Sequence, residues 1–385
     1  MTYAKEGKTS MKKPRILFYN NFYSSGGVEV FLHNLSGYLA ENGYDVTVAA
    51  APRYKADFHH PFGPKVKSVW RPLLEPRYKR HSLPWILDHL RYRILESAVE
   101  AYLSLKGYDI VVASQEKWVM RNTTKLRGKK KFAWVHSEYS TRRPLHNNCF
   151  ANAEEELNCM RHFKKVVCVS EVSRQGLIQT LGDPGNLIVK YNPINVKRIF
   201  DLAAVPCPIT RNPKLPLLVS VGRLDPEKQY PLLLEACAAL HKETPFELWI
   251  VGEGSDRPAM EAFMAREKID YVRLLGAQAN PYHYLAQADL FVSSSKTESY
   301  GLAVQEALIL GVPVVAVQCL GIEEVFDSRF GTLVSNSVED LRAGIEKYLR
   351  DKKLLNECRD NIARYYRTDD LYEKRLEAIR GMLEE

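Results

Sequence analysis

The chain has 385 residues, 45% hydrophobic and 26% charged, the composition of a globular protein with enough apolar residues for two cores of ordinary domain size. No stretch approaches the ~18–20 uninterrupted apolar residues of a membrane span, and the basic start at Met11 is not followed by a signal-peptide apolar run, so the expected location is the cytoplasm. The seven cysteines form no Cys-x-x-Cys pair and are odd in number, which argues against a zinc ribbon or a disulfide framework.

The net charge of +8 is unevenly divided: residues 1–190 hold 30 Lys and Arg against 17 Asp and Glu, a net of +13, while residues 191–385 hold 24 against 29, a net of −5. Much of the excess lies in EPRYKRH (75–81), RYR (91–93), KLRGKKKF (125–132) and TRR (141–143), with Trp70, Tyr78, Trp85, Tyr92 and Trp118 nearby. Such a surface reads either as a solvated basic face or as a seat for anionic lipid or a phosphate-bearing acceptor. No nucleic-acid-binding motif accompanies it, so nucleic acid is not an expected partner.

In chain order, residues 1–10 read as a flexible extension. Strands are then expected at 15–20, 45–50, 109–114, 131–137, 164–170 and 187–192, apolar on both faces and separated by helical periodicity, the pattern of a doubly covered parallel sheet. Residues 192–214 carry four prolines and little periodicity, and read as an interdomain linker. A second set of strands is expected at 215–222, 246–252, 271–276, 290–295, 312–317 and 331–334. The tail, 371–385, reads as an amphipathic helix. The expected organisation is therefore a Rossmann-like domain over 11–191, a linker over 192–214, a second such domain over 215–364, and a tail over 365–385 packing back toward the first domain.

Two such domains leave a cleft at the carboxyl ends of their strands, and the loops there carry the chemistry. After the first strand, Gly26 and Gly27 stand before a helix, where bare backbone and free N–H groups suit a diphosphate or simply a tight turn. In the second half a strand ends at Gly222, with Arg223 at its tip and Lys228 before the next helix. An Arg fork and a Lys point charge on one loop are a natural replacement for a metal ion on a leaving diphosphate. No Asp-x-Asp occurs, which fits a scheme without metal. The loop 251–258 reads as structural, whereas Gly276-Ala277-Gln278 offers backbone to a flat base.

The most specific stretch is TESYGLAVQEALILGVPVVA (297–316), in which Glu298 lies on a loop, Gly301 opens a helix ending near Gly311, and Glu306 lies about 7.5 Å along that helix. Two carboxylates on either side of a helix start can grip both ends of one elongated, diphosphate-centred ligand.

These residues resemble the family-4 glycosyltransferases, retaining enzymes of the GT-B fold, over nearly the whole chain. The E-x7-E pair Glu298/Glu306 is the strongest match, supported in family order by SSGGVE (24–29), VHSE (135–138), NPIN (192–195), VGRLDPEK (221–228) and GAQANPYHYLAQADLFV (276–292). The resemblance implies a GT-B fold, two Rossmann-like domains facing each other across a cleft, and a nucleotide-sugar donor, with no further cofactor. Family frequency favours a UDP-sugar over a GDP-sugar. Glu306 would then receive the ribose hydroxyls and Glu298 those of the donor sugar. Arg223 and Lys228 would hold the diphosphate, and Gly27 would let the N-terminal loop close over it. The backbone of Ser299, Tyr300 and Gly301, with Leu302, would cradle donor oxygens, and His136 would sit beside the anomeric carbon. Where the family often has Gly-Phe, this chain has Ser299-Tyr300. The implied acceptor is a glycan or lipid-linked precursor in bacterial surface-polysaccharide assembly, reached by a peripheral enzyme on the inner membrane face. Competing readings are a nucleotide-sugar epimerase or a phosphorylase on the same scaffold, or a non-catalytic module docking on membrane or nucleic acid.

Overall fold

The computed structural model describes residues 13–23, 27–52, 62, 64–72, 82–140 and 149–385. The extension 1–10, Gly26 and the basic stretches 75–81 and 141–143 lie outside the described residues.

The first sheet is built from β1 (Arg15–Tyr23), β2 (Asp45–Pro52), β3 (Lys67–Trp70), β4 (Tyr108–Ala113), β5 (Gly128–Val135), β6 (Lys165–Cys168) and β7 (Leu187–Val189). Its order is β3-β2-β1-β4-β5-β6-β7, and every pair is parallel. The central strand β1 sets Phe18 beside Val48 on one side and Val112 on the other. Ile16 and Phe18 enter one apolar cluster and Leu17 and Tyr19 another, so both faces are covered, as a parallel sheet with crossover helices requires. Those helices are α1 (Gly27–Glu41), α2 (Leu83–Leu105), α3 (Trp118–Lys125), α4 (Ala153–Arg161) and α5 (Glu171–Leu181).

The segment expected as an irregular linker instead contains a helix, α6 (Val196–Ala203), whose N-cap Asn195 accepts from the Arg198 N–H at 2.9 Å. Its periodicity spans only two turns between prolines, too short to register against the surrounding sequence. Beyond it come β8 (Leu217–Val221), α7 (Tyr230–His241), β9 (Glu247–Val251), α8 (Arg257–Glu267), β10 (Val272–Leu274), α9 (Tyr282–Leu285), β11 (Leu290–Ser293), α10 (Leu302–Ile309), β12 (Val314–Val317), α11 (Leu320–Glu323), β13 (Gly331–Val334), α12 (Val338–Arg350), α13 (Lys352–Tyr365) and α14 (Glu373–Glu384). The second sheet runs β10-β9-β8-β11-β12-β13, again all parallel.

The tail helix α14 places Leu376, Ile379, Met382 and Leu383 in the core cluster that also holds Phe31 and Phe18 of the first sheet's domain. Burial of each is worth about 1.5–3 kcal/mol, enough to hold the tail across the molecule. The crossing is fixed by backbone as well: Ile194 N–H donates to Leu371 O at 2.7 Å, and the Arg375 guanidinium to Asn192 O at 2.8 Å.

Candidate active site

Both sheets end near the same set of loops. The β8 exit runs through Gly222 and Arg223 to Lys228, which is half-buried and places its Nζ 2.5 Å from Glu298 Oε1. The Ser294 hydroxyl holds this loop, donating to Lys228 O at 2.7 Å. Two close approaches position Glu298. A Cβ on Gly321 would stand 1.9 Å from Glu298 O, so only glycine lets α11 pack under the loop. Gly301 has φ 57°, a left-handed turn that starts α10, and a Cβ added there would stand 3.3 Å from Gly321 O.

Arg223 is turned differently from what the sequence suggests. Its guanidinium binds Asp225 at 2.5 Å and approaches Glu227 at 3.9 Å, and its side chain is 60% exposed. The loop 251–258 buttresses it, as expected of a structural loop: Leu224 N–H donates to Glu253 O at 3.0 Å and Asp256 N–H to Leu224 O at 2.8 Å. Ala277 is exposed beside Gly276, whose carbonyl accepts from Gly252 N–H at 2.9 Å.

Glu306 lies on the far side of the α10 start from Glu298. Tyr282, from α9, donates its hydroxyl to Glu306 Oε1 at 3.0 Å. Burial pushes the Glu306 carboxyl up to about 7, with the Tyr282 bond opposing the rise. Tyr282 itself packs with Ile194, Ile199, Ile309 and Leu371, so the linker, α6 and the tail all shape this carboxylate's surroundings. The spacing in NPYHYL gave no sign that its first tyrosine is the partner of Glu306.

In the first domain β5 ends at Val135, so His136 stands one residue past the strand rather than within it. Its backbone N–H donates to Glu116 Oε2 at 3.1 Å, and the Ser137 hydroxyl binds the same carboxylate. The ring bonds the Ser114 backbone and meets Phe31 edge-on at 5.1 Å, leaving Nε2 buried with no partner among the described residues. Burial holds this imidazole's pKa below its ordinary value, against the pull of Glu116, so the ring is neutral at pH 7. Glu116 was not singled out in the sequence; a lone glutamate in SQEKW has no pattern to mark it.

Helix α1 connects the two halves. Gly27 and Phe31, four residues apart, share one helix face. A Cβ on Gly27 would be 3.1 Å from Leu302 Cδ1, while Phe31 touches His136. The loop between Glu298 and Gly301 is also fastened to the first domain. Ser170, the N-cap of α5, donates to Ser299 O at 2.5 Å, and the Tyr300 ring stacks on Tyr191 at 5.1 Å with Arg375 over both. Tyr300 is only 5% exposed and belongs to the first domain's core cluster. The Tyr300 side chain and the Ser299 carbonyl thus face the domain contact. Glu324 reinforces the contact by accepting from the N–H groups of Glu171 and Val172 at 3.1 and 3.2 Å.

The basic stretch at 125–132 lies at the opposite, amino-terminal edge of the sheet. Lys129 pairs with Asp109 at 2.7 Å, Lys130 donates to Glu384 O at 2.8 Å, and Lys131 to Thr124 O at 2.6 Å.

Two parallel α/β domains thus meet at the start of α10, with the Lys228–Glu298 pair on the strand-end loops before it and Glu306 within it. In the family comparisons the description Glycosyltransferase Family 4 matches residues 25–198 and Glycosyl transferases group 1 matches 208–365. The chain belongs to the family-4 glycosyltransferases of the GT-B fold. Among curated relatives it is 31% identical, over 190 residues, to the N-acetylgalactosamine-N,N'-diacetylbacillosaminyl-diphospho-undecaprenol 4-alpha-N-acetylgalactosaminyltransferase of Campylobacter jejuni, covering 48% of this chain and 50% of that one. It is 29% identical over 198 residues to the GDP-mannose-dependent alpha-(1-6)-phosphatidylinositol dimannoside mannosyltransferase of Mycobacterium tuberculosis, covering 49% of each. The chain thus spans about half the length of these curated relatives. The crystal structure of Anabaena HepE in complex with UDP and glucose superposes over 96% of this chain and 99% of that one, with a TM-score of 0.73 at 18% identity.

Proposed function

We propose that the protein is a retaining glycosyltransferase that moves a sugar from a UDP-sugar to a hydroxyl of a lipid-linked or polysaccharide-precursor acceptor in bacterial surface glycan assembly. The observation that carries this reading is the arrangement around the start of α10: Glu298 paired with Lys228 on one side, Glu306 with Tyr282 on the other. Glu306 receives the ribose hydroxyls, and Glu298 the hydroxyls of the donor sugar. Lys228 stabilises the diphosphate, joined by Arg223, whose exposed guanidinium exchanges Asp225 for phosphate oxygens. The backbone at Ser299, Tyr300, Gly301 and Leu302, with that of Gly222, Ala277 and Gly27, lines the donor.

In the reaction the bond from the anomeric carbon to the diphosphate oxygen breaks on the same face at which the acceptor oxygen bonds. The acceptor proton passes to the departing phosphate oxygen. Charge on that oxygen is stabilised by Lys228 and Arg223, the electrostatic contribution that usually dominates such steps. Glu298 and Glu306 bind ligand rather than act as a hydrolase acid and nucleophile pair. The neutral His136, with Nε2 free, accepts a sugar hydroxyl or the acceptor beside the anomeric carbon. The undecaprenol-diphosphate and phosphatidylinositol in the two relatives' names support a lipid-linked acceptor, and the UDP in the HepE structure supports the donor. The mannosyltransferase's name favours GDP as the second reading of the nucleotide.

The test is incubation with UDP-sugars and a synthetic polyprenyl-diphosphate saccharide, with the anomeric configuration of product read by NMR. Transfer with retained configuration supports the reading. Release of free nucleotide-sugar isomer, or of sugar without transfer, overturns it.

A further inference from the structure

Helix α2 is turned inside out. Of its 23 residues only Glu96 and Leu103 are buried, while Leu83, Leu87, Leu90, Ile94 and Leu105 are 68, 55, 54, 60 and 81% exposed. At about 100° per residue these five fall within roughly 60° of one another, a continuous stripe along a helix roughly 34 Å long. What faces inward combines Leu103 and Val99, packed on the first domain's core, with a polar cluster: Glu96 binds Arg71 at 2.9 Å through Nε and receives the Tyr19 hydroxyl, and the Arg71 guanidinium lies 4.1 Å from the Tyr19 ring. The helix is thus held by a buried ion pair and two apolar contacts, and its outward apolar stripe is uncovered among the described residues. An exposed stripe of this size marks an interaction surface.

The charges around the stripe say what it meets. Arg91 and Arg93, both exposed, flank it on opposite sides, and the helix's acids, Asp88, Glu96 and Glu100, are all directed away from it. A second copy docking antiparallel through the same stripe would bring these arginines, close to the helix midpoint, against their own counterparts. An anionic surface has no such penalty. Beside the stripe, Leu95, Val99 and Tyr102 wall a groove of about 430 Å³ that reaches Trp70 and Arg71 at the end of β3, on the strand-end side of the first sheet. No helix among the described residues is long and apolar enough to cross a membrane, so the fitting geometry is a helix lying flat.

We infer that the outward face of α2 seats the protein on an anionic lipid bilayer, with its leucines in the acyl boundary and Arg91 and Arg93 at the headgroups, so that the groove opens to lipid. This deepens the lipid-linked-acceptor reading and rests on it for its purpose. The binding assay contains neither donor nor acceptor, so a failure of one is distinguishable from a failure of the other.

The experiment is cosedimentation of the full chain with vesicles of phosphatidylcholine alone or mixed with phosphatidylglycerol. The wild type is expected to favour the anionic vesicles. Leu90→Glu with Ile94→Glu lowers partitioning at least tenfold with unchanged melting, since both positions are exposed. Arg91→Gln with Arg93→Gln lowers binding to anionic vesicles about fivefold per arginine and leaves neutral vesicles unaffected. Absence of cosedimentation, or binding unchanged by both pairs of substitutions, overturns the inference. So does a solution dimer that Leu90→Glu with Ile94→Glu separates while vesicles bind nothing.

Discussion

The Lys228 ammonium lies 2.5 Å from the Glu298 carboxylate, joining the loop after β8 to the loop after β11 at the point where donor phosphate and donor sugar meet in the proposed site. The pair holds the two loops in register, and each member keeps bonding capacity for a ligand, since an ammonium has three donors and a carboxylate two acceptor oxygens. The two roles separate in binding. Lys228→Ala is expected to lower kcat/KM by ~10²–10³ and to weaken UDP itself. Glu298→Gln should leave UDP affinity nearly intact while weakening the UDP-sugar. Equal losses for UDP and its conjugate in both variants would contradict the division.

Glu306 makes stability depend on pH in a defined direction. Its folded-state pKa of about 7 is above the ordinary carboxyl value, so the folded protein binds more protons than the unfolded chain between about 4.5 and 7. Its contribution is therefore full below the unfolded value and is lost as pH rises through 7. Glu306→Gln should flatten the melting profile over pH 5–8 and raise stability by on the order of 1–3 kcal/mol at pH 8, while abolishing donor binding. A variant less stable than wild type at pH 8 would contradict this assignment.

His136→Ala is expected to slow turnover by ~10²-fold, with donor affinity changed less than threefold. Glu116→Gln tests the support of that ring through the 3.1 Å bond to the His136 N–H. It should lower kcat in part and shift the acid limb of the kcat profile, which a merely structural defect would not do.

The contact between Ser170 and Ser299 O, with Tyr191 stacked on Tyr300, ties the first domain to the loop proposed to hold the donor. A transferase suppresses hydrolysis by excluding water, so loosening this contact should uncouple the reaction. Tyr191→Ala with Ser170→Ala is expected to raise donor hydrolysis relative to transfer severalfold, measured as free sugar against glycosylated acceptor. An unchanged ratio would assign the contact to stability alone.

The two parallel sheets were legible because each central strand is apolar on both faces: Ile16 to Tyr19 and Leu217 to Val219 fill clusters on either side. Strand β3 was missed because its four residues, KSVW, are partly exposed at a sheet edge and carry no apolar run. The E-x7-E spacing placed Glu298 and Glu306 correctly about the start of α10, since that depends on local helix geometry. Their partners Lys228 and Tyr282 lie 70 and 24 residues away, pairings set by tertiary packing. Composition likewise marked the first half as basic, yet Lys129, Lys130 and Lys131 are engaged within the chain. The surface proposed for lipid is instead on α2, where a helical apolar period reads the same whether it faces core or solvent.

The most direct test of the donor site is a melting-shift titration of the purified protein with UDP, GDP and their common sugar conjugates, without added metal, in wild type and Glu306→Ala. At 100 times its dissociation constant a bound donor adds about 2.7 kcal/mol to folded-state stability. The account predicts a selective stabilisation by one UDP-sugar that disappears in Glu306→Ala. No stabilisation by any of them, or the same stabilisation in the variant, would contradict it.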